Sequence, residues 1–150
     1  MKILNCVGQS IYNINHSLKN KIVFCADHIV NDEVLKQSAE AVELVGRLLD
    51  KNDIKIEGLR PINLFFSESG SLNLYMDEDN LGNVFSLISI NASKTANYEP
   101  VKILAIILEE LCHYFFNIHD EREVKYKVIE ALNIKYPLLE VEDIFDISTI

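Results

Sequence analysis

The chain has 150 residues, enough for one domain with a substantial hydrophobic core. Hydrophobic residues make up 49% and charged residues 25% of the sequence, which is typical of a globular protein and argues against general disorder. Asp and Glu outnumber Lys and Arg by 23 to 14, for a formal net charge of −9. This acidic balance argues against binding to nucleic acid, which needs basic groups, and against docking on anionic membranes.

The sequence favours a single cytoplasmic domain over residues 1–150. The longest fully apolar run is Ile103–Leu108, far short of the roughly 20 residues that span a bilayer. The amino terminus is a poor signal peptide because its apolar stretch is short and broken. Cys6, Cys25 and Cys112 are an odd number of widely spaced cysteines, which favours reduced thiols in a cytosol over a disulfide framework.

The first clear element is a helix. From Asn31 to about Lys51, apolar residues recur at helical spacing, and Asn31 or Asp32 can cap the first turn. The Asn52-Asp53 pair ends it. The preceding segment is ambiguous, with short strands possible at 3–7 and 22–25.

Three strands are predicted next, at 62–66, 72–76 and 84–91, because these segments are β-prone or alternate with period two. Residues 67–71 contain a glycine and suit a five-residue hairpin loop, and 77–83 form an acidic loop. The sequence therefore predicts a mostly antiparallel, three-stranded meander.

Two helices are predicted in the last third of the chain. The first runs from Glu99 to about Asn117, with Pro100 at its first position, and is apolar nearly all round, which indicates a buried helix. The second runs from 121 to 132 with Asp120 as its cap. The predicted class is α+β: a helix, the meander, a buried helix of active-site type and a further helix.

The predicted buried helix contains three polar residues, Glu109, Glu110 and His113. Buried carboxylates are normally paired, protonated or bound to a metal. Glu109 and His113 are four positions apart and share a helix face, and Glu110 lies three positions before the same histidine. Such a face can hold a divalent ion through two side chains and keep a carboxylate beside a bound water.

Residues 109–113, Glu-Glu-Leu-Cys-His, resemble the HExxH active-site motif of zincin metallopeptidases, with Glu109 at the position of the first histidine. The predicted order of elements is similar to a minimal zincin. The resemblance implies a Zn²⁺ or Mn²⁺ ion held by Glu109 and His113, a peptide or protein substrate, and Glu110 taking a proton from a water on the metal. A carboxylate in place of histidine favours the harder Mn²⁺.

The resemblance leaves the third ligand open. The longer segment 109–121 resembles the metzincin motif HExxHxxGxxHD, whose third ligand falls at His119 here. Small zincin-like proteins of phages and bacteria resemble the chain as well, and in those an acidic residue on the next helix is the ligand. Asp120, Glu121 and Glu123 are then the candidates.

Other interpretations stay open at this point. Because Glu109 replaces a histidine and no methionine follows the motif, the chain can also be a catalytically inactive zincin-like scaffold that acts as a protein-interaction module, of phage or mobile-element origin. Glu110 and His113 can form an ordinary ion pair. Cys112 can be a thiol nucleophile beside His113 or a small packing residue.

Overall fold

The computed structural model describes residues 4–5, 13–70 and 86–146. The strands in these ranges are β1 (Leu4–Asn5), β2 (Ile22–Ala26), β3 (Ile62–Ser67) and β4 (Leu87–Asn91). The α-helices there are α1 (Asp32–Lys51), α2 (Ala92–Thr95), α3 (Pro100–Phe115), α4 (Glu121–Leu132) and α5 (Val141–Ile144). Short 3-10 helices lie at Ser17–Lys21 and Ile56–Gly58.

The four strands form one sheet in the order β1-β2-β3-β4. The three longer strands β2, β3 and β4 run parallel, and the short β1 pairs antiparallel with β2. Parallel neighbours need a long crossover, and α1 supplies it between β2 and β3. The register places Ile22 opposite Ile62, and Asn63 opposite Leu87.

The predicted antiparallel meander is wrong. Segments 62–67 and 87–91 are direct neighbours and run parallel, and the other neighbour of β3 is β2, from the segment read as ambiguous. The expected middle strand at 72–76 lies outside the described residues, as do residues 71, 77–83 and 84–85. Alternation and β-propensity identify a strand but not its partner, which is chosen by contacts distant in sequence. The general α+β class agrees with the structure.

The core lies between one face of the sheet and the helices. Alternate residues of the strands point into it, including Phe24 and Phe66, whose rings meet edge to face with centroids 5.7 Å apart. Helices α1 and α3 pack against each other and add their apolar sides to the same cluster. None of the described helices is long and apolar enough to cross a membrane.

The helix boundaries predicted from capping residues are confirmed. The side chain of Asn31 accepts hydrogen bonds from the first turn of α1, and Pro100 lies in the first turn of α3. Asp120 accepts a hydrogen bond from the Glu123 amide at 2.7 Å and begins α4. These signals are reliable because each depends on a few neighbouring residues.

A glycine in α1 makes room for the partly buried side chain of His16. The ring of His16 lies against Gly46, where a Cβ atom would overlap it. The ring is held on both sides, because its Nδ1 accepts from the Leu18 amide at 3.1 Å and its Nε2 donates to Asp50 Oδ2 at 2.9 Å. The segment before β2 is thereby fixed to the C-terminal part of α1.

We expect Gly46→Ala to destabilise the fold. Alanine gains about 1 kcal/mol in helix propensity, but overpacking costs about 1–3 kcal/mol, and moving the His16 ring breaks its two hydrogen bonds. Urea denaturation of both variants checks this. The matched control is Gly58→Ala, where a Cβ meets nothing within 4 Å and where stability should hold or rise slightly. An equal increase in the free energy of unfolding in both variants would contradict the packing role of Gly46.

Candidate metal centre

The polar residues of the motif lie along the edge of α3 rather than in its core. One side of the helix is fully buried, whereas Glu109 and His113 are half-buried and Glu110 is exposed. The sequence prediction of a helix buried all round is wrong at these three positions. They lie where solvent, a metal ion or a substrate can reach them without the cost of an enclosed charge.

The end of α3 fixes the orientation of His113. Asn117 adopts a left-handed conformation with φ of 52°, which asparagine tolerates better than most residues. The chain turns back there, so the Ile118 amide donates to the His113 carbonyl at 3.2 Å. In the opposite direction, His113 Nδ1 lies 2.6 Å from the Ile118 carbonyl oxygen.

That second hydrogen bond determines the tautomer of His113. A carbonyl oxygen can only accept, so Nδ1 carries the proton and donates it. In the neutral ring Nε2 then has a free lone pair. A histidine held by an Nδ1–H···O=C hydrogen bond is the usual arrangement of a metal ligand in proteins.

Two carboxylates lie near the ring of His113. Glu121, in the first turn of α4, places Oε1 3.7 Å from Nε2. One ligand atom from each of Glu109, His113 and Glu121 lies within 4.8 Å of the others. Ligand atoms on one ion at about 2.0–2.2 Å are separated by roughly 3–4 Å, so small side-chain rotations close this set. One imidazole and two carboxylates fit Zn²⁺ or Mn²⁺.

The structure separates the other predicted ligands from this set. His119 is exposed and lines the same cleft, but it does not belong to the three-residue cluster found among the described residues. The carboxylate of Asp120 is the cap of α4. Glu123 is exposed two residues after Glu121, and helical residues two apart do not face each other. Of the acidic candidates left open by the sequence, Glu121 is the one brought to His113.

The three-residue cluster lies in an open cleft of about 600 Å³. Its walls are Ile88, Glu109, Glu110, His113, Tyr114, Ile118, His119 and Glu121. Tyr114 donates weak hydrogen bonds to the carbonyls of Arg60 and Pro61 at 3.4 and 3.5 Å, which ties the end of α3 to the start of β3. Sequence reasoning missed Ile88 and Tyr114, since their place in the cleft depends on the position of β4 and β3 beside α3.

The surroundings of the carboxyls disfavour their ionised forms. Partial burial raises the pKa of Glu109, and the charges of Glu121 and Glu110 raise it further against the opposing effect of Lys125 and His113. Glu110 is exposed as a whole residue, but desolvation of its carboxyl group by neighbouring atoms raises its pKa, with Glu121 adding to the effect and His113 opposing it. A divalent cation would relieve this mutual repulsion.

The thiol of Cys112 lies in the hydrophobic core. It is fully buried, and burial raises its pKa to about 12. Because the thiolate is the reactive form, a thiol of this kind is inert at neutral pH. Cys112 is a packing residue, and the interpretation of it as a nucleophile is wrong.

Comparisons of the chain with protein-family models, curated proteins and solved structures found no match. The zincin resemblance stays a prediction from the motif. The mostly antiparallel sheet that it implied is not the observed one. A function for this chain is therefore inferred from the geometry of the three-residue cluster and the cleft.

We expect Cys112 to resist alkylation in the folded protein. Iodoacetamide at pH 8 should leave the Cys112 peptide unmodified in mass spectrometry, because both burial and the raised pKa deny access to a thiolate. The same treatment in urea should modify it fully. Rapid modification of Cys112 under native conditions would show that the thiol is exposed and ionised.

Proposed function

We propose that Glu109, His113 and Glu121 bind one divalent metal ion, Zn²⁺ or Mn²⁺, in a small metal-dependent peptidase. The observation that carries this proposal is the convergence of the three ligand atoms within 4.8 Å, with His113 held so that Nε2 faces Glu121. The open cleft beside them supports the proposal, because a catalytic ion needs a position that a substrate can reach.

When bound, such an ion polarises a carbonyl group and lowers the pKa of water. The protein side chains would have separate roles in binding the ion and in transferring protons. His113 is oriented in advance by Ile118, which reduces the cost of arranging the site. Glu110 lines the cleft without belonging to the cluster, and its raised pKa suits a group that accepts a proton from attacking water and delivers it to the leaving amine.

A non-catalytic role is the second candidate. His113 Nε2 and Glu121 Oε1 are near enough for an ion pair when the histidine is protonated, and such a pair needs no metal. The chain would then be an interaction module whose acidic surface binds a partner. This alternative predicts that purified protein holds no stoichiometric ion and takes up none on addition of Zn²⁺ or Mn²⁺.

We expect ligand substitutions to weaken metal binding. His113→Ala and Glu121→Gln should each lower the affinity for Zn²⁺ by about tenfold or more, measured by isothermal titration calorimetry on protein stripped of metal. Glu123→Gln is the matched control, because it removes the same charge from the same turn of α4. Equal losses in Glu121→Gln and Glu123→Gln would contradict the assignment of Glu121 as a ligand.

We expect Glu110→Gln to separate binding from catalysis. The variant should keep its metal ion, and its hydrolysis of internally quenched peptides of random sequence should fall by about 100-fold or more, since it loses the proton acceptor. Glu99→Gln, at the other end of α3, controls for the change in net charge. Unchanged, metal-dependent hydrolysis in Glu110→Gln would rule out the proposed role of Glu110.

A further inference from the structure

The walls of the cleft carry an uneven distribution of charge. Three of the described lining residues are glutamates, Glu109, Glu110 and Glu121, two are histidines, and none is lysine or arginine. The remaining walls are two isoleucines and a tyrosine. A cleft lined by one sign of charge focuses the field and attracts ligands of the opposite sign.

A bound metal ion would not abolish this field. One divalent ion offsets two of the three carboxylates and leaves one negative charge on the walls. Lys125 is the basic residue whose charge acts on Glu109. It does not line the cleft, and its ammonium lies 5.7 Å from the centroid of the Phe145 ring on the C-terminal segment. Among the described residues, His113 is the basic group whose charge acts on Glu110, and no lysine or arginine lines the cleft beside it.

From this charge pattern we infer that the cleft selects peptides that carry a positive charge in or beside the segment bound in the cleft. This inference rests on the proposed function. The apolar walls Ile88 and Ile118 contact uncharged parts of the chain, and the carboxylates favour an ammonium or guanidinium group. Peptides with an acidic residue at the same place are disfavoured by repulsion. Either a Lys or Arg side chain or a free α-amino group can supply the positive charge.

Binding of matched peptides tests this selectivity. Three labelled hexapeptides with blocked ends differ only in a central Lys, Gln or Glu, and a fourth has a central Gln and a free amino end. Fluorescence anisotropy gives their affinities for Mn²⁺-loaded and metal-stripped protein at about 0.05 M and about 0.5 M NaCl. We expect the Lys peptide to bind about threefold tighter than the Gln peptide, and the Glu peptide about threefold weaker.

Salt concentration and metal content give two further comparisons. The differences in affinity among the Lys, Gln and Glu peptides should shrink in high salt, where surface charges are screened. They should grow in metal-stripped protein, where no ion offsets the carboxylates. Tight binding of the fourth peptide would identify the α-amino group as the recognised cation, and weak binding would identify the side chain. Equal affinities for the Lys and Glu peptides, no peptide binding, or a preference for Glu would overturn the inference.

Variants at His119 locate the selectivity in the cleft. His119→Lys adds a positive charge to the wall and should reduce the preference for the Lys peptide by about threefold, whereas His119→Gln should keep it. Glu110→Gln should also reduce this preference. Glu99→Gln, at a position about 16 Å from Glu110 along α3, should leave the preference unchanged. Absence of metal binding in calorimetry would defeat the proposed function alone, because the peptide preference is measured in stripped protein as well.

Discussion

The two hydrogen bonds between His113 and Ile118 are the interaction on which the candidate site depends. The Ile118 amide and carbonyl are both used, one to end α3 and the other to hold the imidazole. Because Asn117 turns the chain back at this point, the same few residues end one helix and begin the next. Glu121 then faces His113 from the first turn of α4. One local turn thus sets the tautomer, the direction of Nε2 and the position of a carboxylate.

The core fixes where this turn lies. The apolar side of α3 packs against α1 and the sheet, which leaves a narrow stripe of the helix free for polar residues. Glu109, Glu110 and His113 occupy that stripe near the end of α3, where Tyr114 reaches the start of β3. The site is consequently built on rigid elements. Such a scaffold holds ligands in place at a small cost in conformational entropy on binding.

The sequence predicted those features that depend on neighbouring residues. The caps Asn31 and Asp120 and the helix-starting Pro100 located the helices correctly. The motif at 109–113 located the candidate site, since spacing on a helix translates directly into a shared face. The acidic choices for a third ligand included Glu121, but nothing in the spacing could favour it over Glu123.

The features that the sequence could not predict are those set by distant contacts. The pairing of β3 with β2 and β4 depends on the crossover helix and the core rather than on the alternation within each strand. The exposure of Glu110 depends on which side of α3 meets α1. A helix rich in isoleucine and leucine gives only a weak indication of that side, and the presence of Ile88 in the cleft follows from the sheet order alone.

The position of a bound ion would show whether Glu109, His113 and Glu121 form a metal site. Crystals grown with Zn²⁺ and measured at the zinc absorption edge should give one anomalous difference peak bonded to His113 Nε2 and to carboxylate oxygens of Glu109 and Glu121, at about 2.0–2.2 Å. His113 Nδ1 should still donate to the Ile118 carbonyl. A peak held instead by His119 or Glu123, or no peak in this cleft at saturating Zn²⁺, would rule out a metal site formed by Glu109, His113 and Glu121.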